Sequence, residues 1–201
     1  VYDVAKLLDN LFRGDRRIGN DEEFSKKVVL VDENEMTAVM MGFPTLKGLS
    51  RETPSTYVSV LLNQTAALHY IDVAQEFGLA GDVCPMPEAE LGVSIDDDAP
   101  ILGACAVQCN TTCDGSLLSN GGIAKRMELE DGIPIFQLAS PMRHKEDDVQ
   151  DYAAQEIKNC IAFIEEKTGE KWDWDYYFEC AKRVNESTRH RMEWLDMNKT
   201  D

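Results

Sequence analysis

Apolar residues recur at helical spacing in Val4, Leu7, Leu8, Leu11 and Phe12, and Gly14 stops the pattern, so a helix is predicted over residues 1–13. Residues 15–27 are mostly charged or polar and read as a loop. Val28, Val29, Leu30 and Val31 form a short apolar run suited to a buried strand. Gly42-Phe43-Pro44 and residues 50–54 are breakers. A helix is then expected from residue 55 to Phe77, with Val58, Leu61, Leu62, Thr65, Leu68 and Val73 on one side and Gly78 closing it.

Beyond residue 80 short apolar runs alternate with amphipathic stretches. Cys84-Pro85-Met86-Pro87 reads as a turn, residues 88–94 as a short helix, and residues 101–107 as a strand. Residues 108–115 form a loop, and a helix over 117–130 contains Gly121-Gly122, each glycine costing about 1 kcal/mol relative to alanine. Gly132 ends it, and residues 133–138 give a second strand. Asp147 or Asp148 can cap a helix with the stripe Val149, Ala153, Ile157, Cys160, Ile161 and Ile164, closed by Thr168-Gly169. Asp173 or Asp175 can cap the last helix, which carries Tyr177, Ala181, Val184, Thr188 and Leu195. Strand–helix alternation predicts an α/β fold: a largely parallel sheet flanked by helices, flavodoxin- or Rossmann-like, with an N-terminal helical extension. The division expected is 1–54 for an extension of helix, loop and short strand, and 55–201 for the α/β domain.

A chain of 201 residues, 43% hydrophobic, is long enough to bury its own core without a disulfide framework. It opens at Val1, which reads as a processed chain or a fragment. No apolar run reaches the roughly 20 residues of a membrane span, and no secretory leader is visible, so a cytoplasmic protein is expected. A net charge of −17 argues against nucleic acid, which needs a Lys/Arg footprint. One local basic pocket would still suffice for an anionic cofactor, and Lys47, Arg51, Lys125 and Arg126 are its candidates, with solvated surface as the alternative.

The cysteines change the picture. Cys84 precedes Pro85 and Cys113 precedes Asp114-Gly115, turn-like settings in which thiolates can converge on a soft metal. Asp114 can cap the helix that follows, whose N-terminal dipole favours a thiolate or an anionic cluster. Two structural cysteines are the alternative. Cys105 falls in a strand and Cys160 on an apolar stripe, both core positions; Cys180 is an ordinary helix residue, and Cys109 is a further ligand candidate near the strand end. Cys-x₃-Cys-x₃-Cys matches no ferredoxin pattern, and no Cys-x₂-Cys pair offers a zinc ribbon. Glu88 and Glu90 can serve as acid or base if they face a pocket; otherwise they form the polar face of a short helix. No Walker A, G-x-G-x-x-G or G-x-S-x-G motif is present, and His69, His144 and His190 neighbour no nucleophile in sequence.

Asp82-Val83-Cys84 with Leu91-Gly92, then Cys109-Asn110-Thr111-Thr112-Cys113-Asp114, Gly132-Ile133-Pro134, and the run from Phe163 to Lys171 with Trp172-Asp173 resemble the D-component family of 2-hydroxyacyl-CoA dehydratases and benzoyl-CoA reductases. The likeness runs from Asp82 to about Trp194. One departure is Leu138-Ala139-Ser140-Pro141, where relatives often carry an acidic residue before the proline. The resemblance implies two α/β domains per subunit around a [4Fe–4S] cluster held by three cysteines. An ATP-dependent activator injects one electron, and the substrate thioester passes through a ketyl radical anion that lets water leave. Cys84 and Cys113 match the two N-terminal ligands; the third belongs to the second family domain, which does not begin before Asp201.

The function expected from this resemblance is a lyase part: a cluster-binding portion of a 2-hydroxyacyl-CoA dehydratase, working with acyl-CoA, a homologous second subunit and the activator. A benzoyl-CoA reductase-type subunit and a non-catalytic module that kept the fold are the alternatives. Cys84 and Cys113 are expected near each other at one edge of the sheet.

Overall fold

The computed structural model describes residues 26–32, 37–50, 64–96, 103–110, 114–141 and 145–199. The helix expected over 1–13, the first turns of the one expected from 55, Arg51, His144 and Cys113 lie outside these residues. In chain order the described elements are β1 (Val28–Val31), α1 (Thr37–Met40), β2 (Lys47–Ser50), α2 (Gln64–Phe77), α3 (Pro85–Ile95), β3 (Cys105–Cys109), α4 (Asp114–Arg126), β4 (Ile135–Leu138), α5 (Asp147–Thr168) and α6 (Trp174–Met197). A π-helical turn, Met127–Asp131, continues α4 and ends at Gly132 in the left-handed conformation, φ 67°. That backbone state is nearly free for glycine alone.

The four strands form one parallel sheet in the order β2-β1-β3-β4. The α/β architecture read from the sequence is therefore the one observed. Alternation along the strands sends side chains to opposite faces. Val29, Val31, Cys105, Val107 and Cys109 pack with Phe43 and with Cys160 and Ile164 of α5. On the other face Val28, Leu30 and Ala106 pack with Ala74 of α2, Leu91 of α3 and Ile123 of α4. Both faces are covered, which is why β1 reads as an unbroken Val/Leu run rather than an alternating one.

Two close approaches fix the layers. Gly92 of α3 lies against α2 so tightly that a Cβ built there would sit 1.9 Å from the Tyr70 carbonyl oxygen. Trp172, between α5 and α6, lies on Gly42, where a built Cβ would be 2.4 Å from the indole ring. Its ring meets Phe43 edge-on at 5.3 Å between centroids, and the Asp173 amide donates to the Gly42 carbonyl at 2.8 Å. The end of α5 and the start of α6 are as the sequence indicates. At its other end α5 begins after Glu146, so Asp147 and Asp148 lie in its first turn, where they face the helix dipole, rather than capping it. Gly169, at φ 75°, caps α5, and the Asp173 carboxylate accepts from the Tyr176 amide at 3.0 Å to open α6. No residue of α6 is buried, and Trp174, Phe178, Met192 and Trp194 are exposed along it. No helix among the described residues is long and apolar enough to cross a membrane.

Three expectations are revised. β2 was not anticipated, because an edge strand reading Lys-Gly-Leu-Ser, only half-covered, carries no apolar signature. The strand expected at 101–107 is Cys105–Cys109, since pairing of Val29 with Cys105 and of Cys109 with Leu138 sets its register. Glu88 and Glu90 do not form a solvated face: every residue of α3 from Pro87 to Ser94 is buried, the helix being packed by α2 on one side and α4 on another.

Candidate functional site

In open parallel sheets ligands gather outside the carboxyl ends of strands, where chain order reverses across the sheet. Here that point lies between β1 and β3, because β2 was added on one side of β1 and β3 on the other. Asp32 follows β1 at this end and is 1% exposed. Its Oδ2 accepts from Asn120 Nδ2 of α4 at 2.7 Å and, at 3.5 Å, from the Cys109 amide. Asn120 also donates to the Cys109 carbonyl at 3.1 Å, so one side chain ties the ends of both strands to α4. A buried carboxylate so held by donors is stable where an unpaired one would be costly.

Beside this network an open cleft of about 280 Å³ runs between the ends of β3 and β4 and the second turn of α4. Gln108, Asn110, Asn120 and Gln137 line it, with Cys109, Leu138, Ala139, Leu117 and Gly121 as the remainder. Asn110 and Ser140 form a two-bond clamp at its mouth: Ser140 N–H donates to Asn110 Oδ1 at 2.6 Å, and Asn110 Nδ2 donates to the Ser140 carbonyl at 3.2 Å. The departure from the family pattern at residues 138–141 falls on this clamp. Gln137 is exposed and bonds Gln108 only at 3.4 Å.

Cys84 stands at the N-cap of α3, exposed and unbonded to another cysteine. It borders the first turn of α4: a Cβ built on Gly115 would lie 3.0 Å from Pro87 Cγ, 3.4 Å from the Cys84 nitrogen and 3.5 Å from Cys84 Cβ. The approach is tight only at Pro87 and ordinary at Cys84, so the two helix starts meet in normal contact there, and each brings a partial positive charge of about half a unit. Cys113 immediately precedes α4, two positions before Gly115, and lies outside the described residues. Among the described residues no group of three or more His, Cys, Asp or Glu converges as a metal site.

The other candidates resolve by burial. Cys105 and Cys160 are fully buried on the α5 face, and desolvation pushes both thiols up from 9.0 to about 12. Such thiols remain protonated and inert. Cys109 is 7% exposed, packed in the same core and bordering the cleft by its strand-end position. Cys180 is half-buried on α6. Glu88 is 2% exposed; its Oε2 accepts from Gln75 at 3.3 Å, and Oε1 has no hydrogen-bond partner among the described residues. Arg126 is committed to structure, donating to the Ile95 carbonyl at 2.9 Å with Glu130 at 3.7 Å. Lys47 sits on the far edge strand β2 and Lys125 is exposed. His69 bonds Asp96 at 2.8 Å and His190 bonds Glu193 at 3.2 Å, both at the surface. The Asp32–Asn120 tie was not anticipated; its signal was an acidic residue directly after a buried strand, Val31-Asp32.

Among models of protein families, the one described as "2-hydroxyglutaryl-CoA dehydratase, D-component" matches residues 36–201. No curated protein matches the chain.

Proposed function

The chain belongs to the 2-hydroxyglutaryl-CoA dehydratase D-component family, and from that membership we propose that it supplies Cys84 and Cys113 as two ligands of a [4Fe–4S] cluster serving a 2-hydroxyacyl-CoA dehydratase. The net reaction removes the 2-hydroxyl and a proton from the neighbouring carbon as water and leaves a C=C bond conjugated to the thioester. One observation carries the reading: Cys84, exposed, has its backbone nitrogen and Cβ beside the first turn of α4, the helix that Cys113 immediately precedes in sequence. The residues present fit the group. Gly115 leaves room between Pro87 and the first turn of α4, and two helix N-termini bring partial positive charge to the place where the cluster would sit.

When bound, such a cluster supplies one-electron chemistry and a Lewis-acidic iron at a position the protein leaves open. The chain's own work is positional. Close packing of α3 on α2 at Gly92 holds the Cys84 backbone, and the Asp32–Asn120–Cys109 tie holds the end of β3 from which the chain runs to Cys113. With two cysteines from this chain, a third ligand comes from elsewhere. A homologous second subunit and an ATP-dependent activator complete the working enzyme. A cytoplasmic setting suits this, since thiols stay reduced there.

Anaerobic reconstitution with iron and sulfide, carried out on the complete enzyme that brings the third ligand, tests the reading. Cys84→Ser and Cys113→Ser should each lower bound iron and visible absorption well below wild type, and Cys160→Ser should not. Full clusters in both variants would make these thiols structural and remove the reading's support.

A further inference from the structure

α6 carries an apolar face that the described residues leave open. Phe178, Ala181, Val184, Thr188, Met192 and Leu195 recur at steps of three and four, which on a helix places them along one side. The large ones are exposed: Phe178 62%, Val184 52%, Met192 53% and Leu195 42%. Apolar side chains aligned in this way, rather than scattered singly, mark a contact surface. In a chain of net charge −17, the edges of this stripe are basic over its outer half. Lys182 and Arg189 follow one edge and Arg191 the other. Among the described residues Lys182 and Arg191 pair with no carboxylate, and Arg189 reaches Glu186 and Glu193 only at 3.8 Å.

Residues 1–13, which lie outside the described residues, match this face in length, polarity and charge. The helix expected there sets Val4, Leu7, Leu8, Leu11 and Phe12 on one side and is about 20 Å long, against about 21 Å from Ala181 to Leu195. The charged residues nearest its apolar side are Asp3 and Asp9, one on each edge, with Lys6 and Arg13 on the back. Acidic edges therefore meet basic ones. The chain also arrives beside α6. β1 starts level with β2, Val28 next to Lys47, and Thr45, just before β2, donates to Glu170 in the short link that leads to Trp174 at the start of α6. Residues 14–25 span about 40 Å when extended, enough to carry residues 1–13 to any turn of that helix.

We infer that residues 1–13 fold back as a helix onto the outer half of α6, with Leu7, Leu8 and Leu11 against Val184, Met192 and Leu195. Asp3 and Asp9 then lie beside the basic edges. This docking goes beyond the cluster reading and does not depend on it.

The full chain, with leucine, valine and methionine methyl groups labelled, should show nuclear Overhauser contacts from Leu7, Leu8 or Leu11 to Val184, Met192 or Leu195. Backbone hydrogen exchange across residues 182–195 should quicken at least about tenfold in Leu8→Asp and in Met192→Asp, because the cover is lost. Exchange in β1 and β3 should stay as in wild type, which shows the sheet intact. Absence of the methyl contacts in wild type, or exchange across 182–195 that Leu8→Asp leaves unchanged, overturns the inference. Mixing labelled and unlabelled chains separates the occupants. Contacts between differently labelled copies, or protection that rises with protein concentration, assign the face to a second copy and overturn the inference as well.

Discussion

Gly92→Ala should destabilise the protein although alanine is the better helix former. The added Cβ would lie 1.9 Å from the Tyr70 carbonyl oxygen, 2.5 Å from its carbon and 2.8 Å from Tyr70 Cα, all backbone atoms that no rotamer change can move. Restoring an ordinary contact of 3.4 Å requires α2 and α3 to part by about 1.5 Å at a point flanked by the buried Ala74 and Leu91. Overpacking of this kind costs about 1–3 kcal/mol, and a backbone clash belongs at the upper end. Helix propensity returns about 1 kcal/mol, leaving a net loss of about 2 kcal/mol. For a chain of this length that lowers Tm by about 4–8 °C. Urea melts followed by circular dichroism should show a lower midpoint with unchanged slope. Gly121→Ala is the control, gaining the same propensity with no clash, and should be more stable by about 1 kcal/mol. A Gly92→Ala protein as stable as wild type would refute the packing of α2 on α3, and with it the support beneath Cys84.

Trp172→Ala should cost about 3 kcal/mol by emptying the seat over Gly42 and Phe43, read as a fall in urea midpoint. Asn120→Ala should cost about 1–3 kcal/mol, because buried Asp32 loses its 2.7 Å donor, and should broaden the backbone resonances of residues 107–110. Cys105 and Cys160 ionise near 12 when folded against about 9 when unfolded, so the folded state holds their protons longer. Their contribution is full below pH 9 and is lost between pH 9 and 12; replacing both with alanine should flatten the fall of stability across that window. Glu165 is held below its ordinary carboxyl range by the Trp172 amide and Lys171. Its contribution is present above the normal carboxyl pKa and lost as pH falls, so Glu165→Gln should shallow the acid limb of the stability curve.

Elements with strong local signals were legible in the sequence. The β1 run, Gly169 and the Asp173 cap appear as read, because burial on both sheet faces and helix-end chemistry leave marks at single residues; of the α5 stripe only Cys160 and Ile164 are buried, and Ile157 is exposed. Placement in the sheet was not legible. β1 lies between β2 and β3, and nothing in Val28–Val31 encodes its partners; Lys47–Ser50 becomes a strand through pairing alone. Burial of Glu88 and Glu90 was hidden for a similar reason, since α3 is enclosed by helices distant in sequence. For the site, the core positions of Cys105 and Cys160 were readable; residues 84–87 read as a turn but form the start of α3, with Cys84 at its N-cap, because Pro is well suited to a first helical turn. The tie from Asp32 to Asn120 spans 88 residues and exists only once the sheet is formed.

Proximity of the Cys84 and Cys113 thiols tests the central claim most directly, because it needs neither a cluster nor a third ligand. A short bis-thiol crosslinker, applied anaerobically to the folded chain and followed by peptide mapping, should join Cys84 to Cys113 and spare Cys105 and Cys160. Modification of both thiols with no linked peptide between them would contradict a shared site.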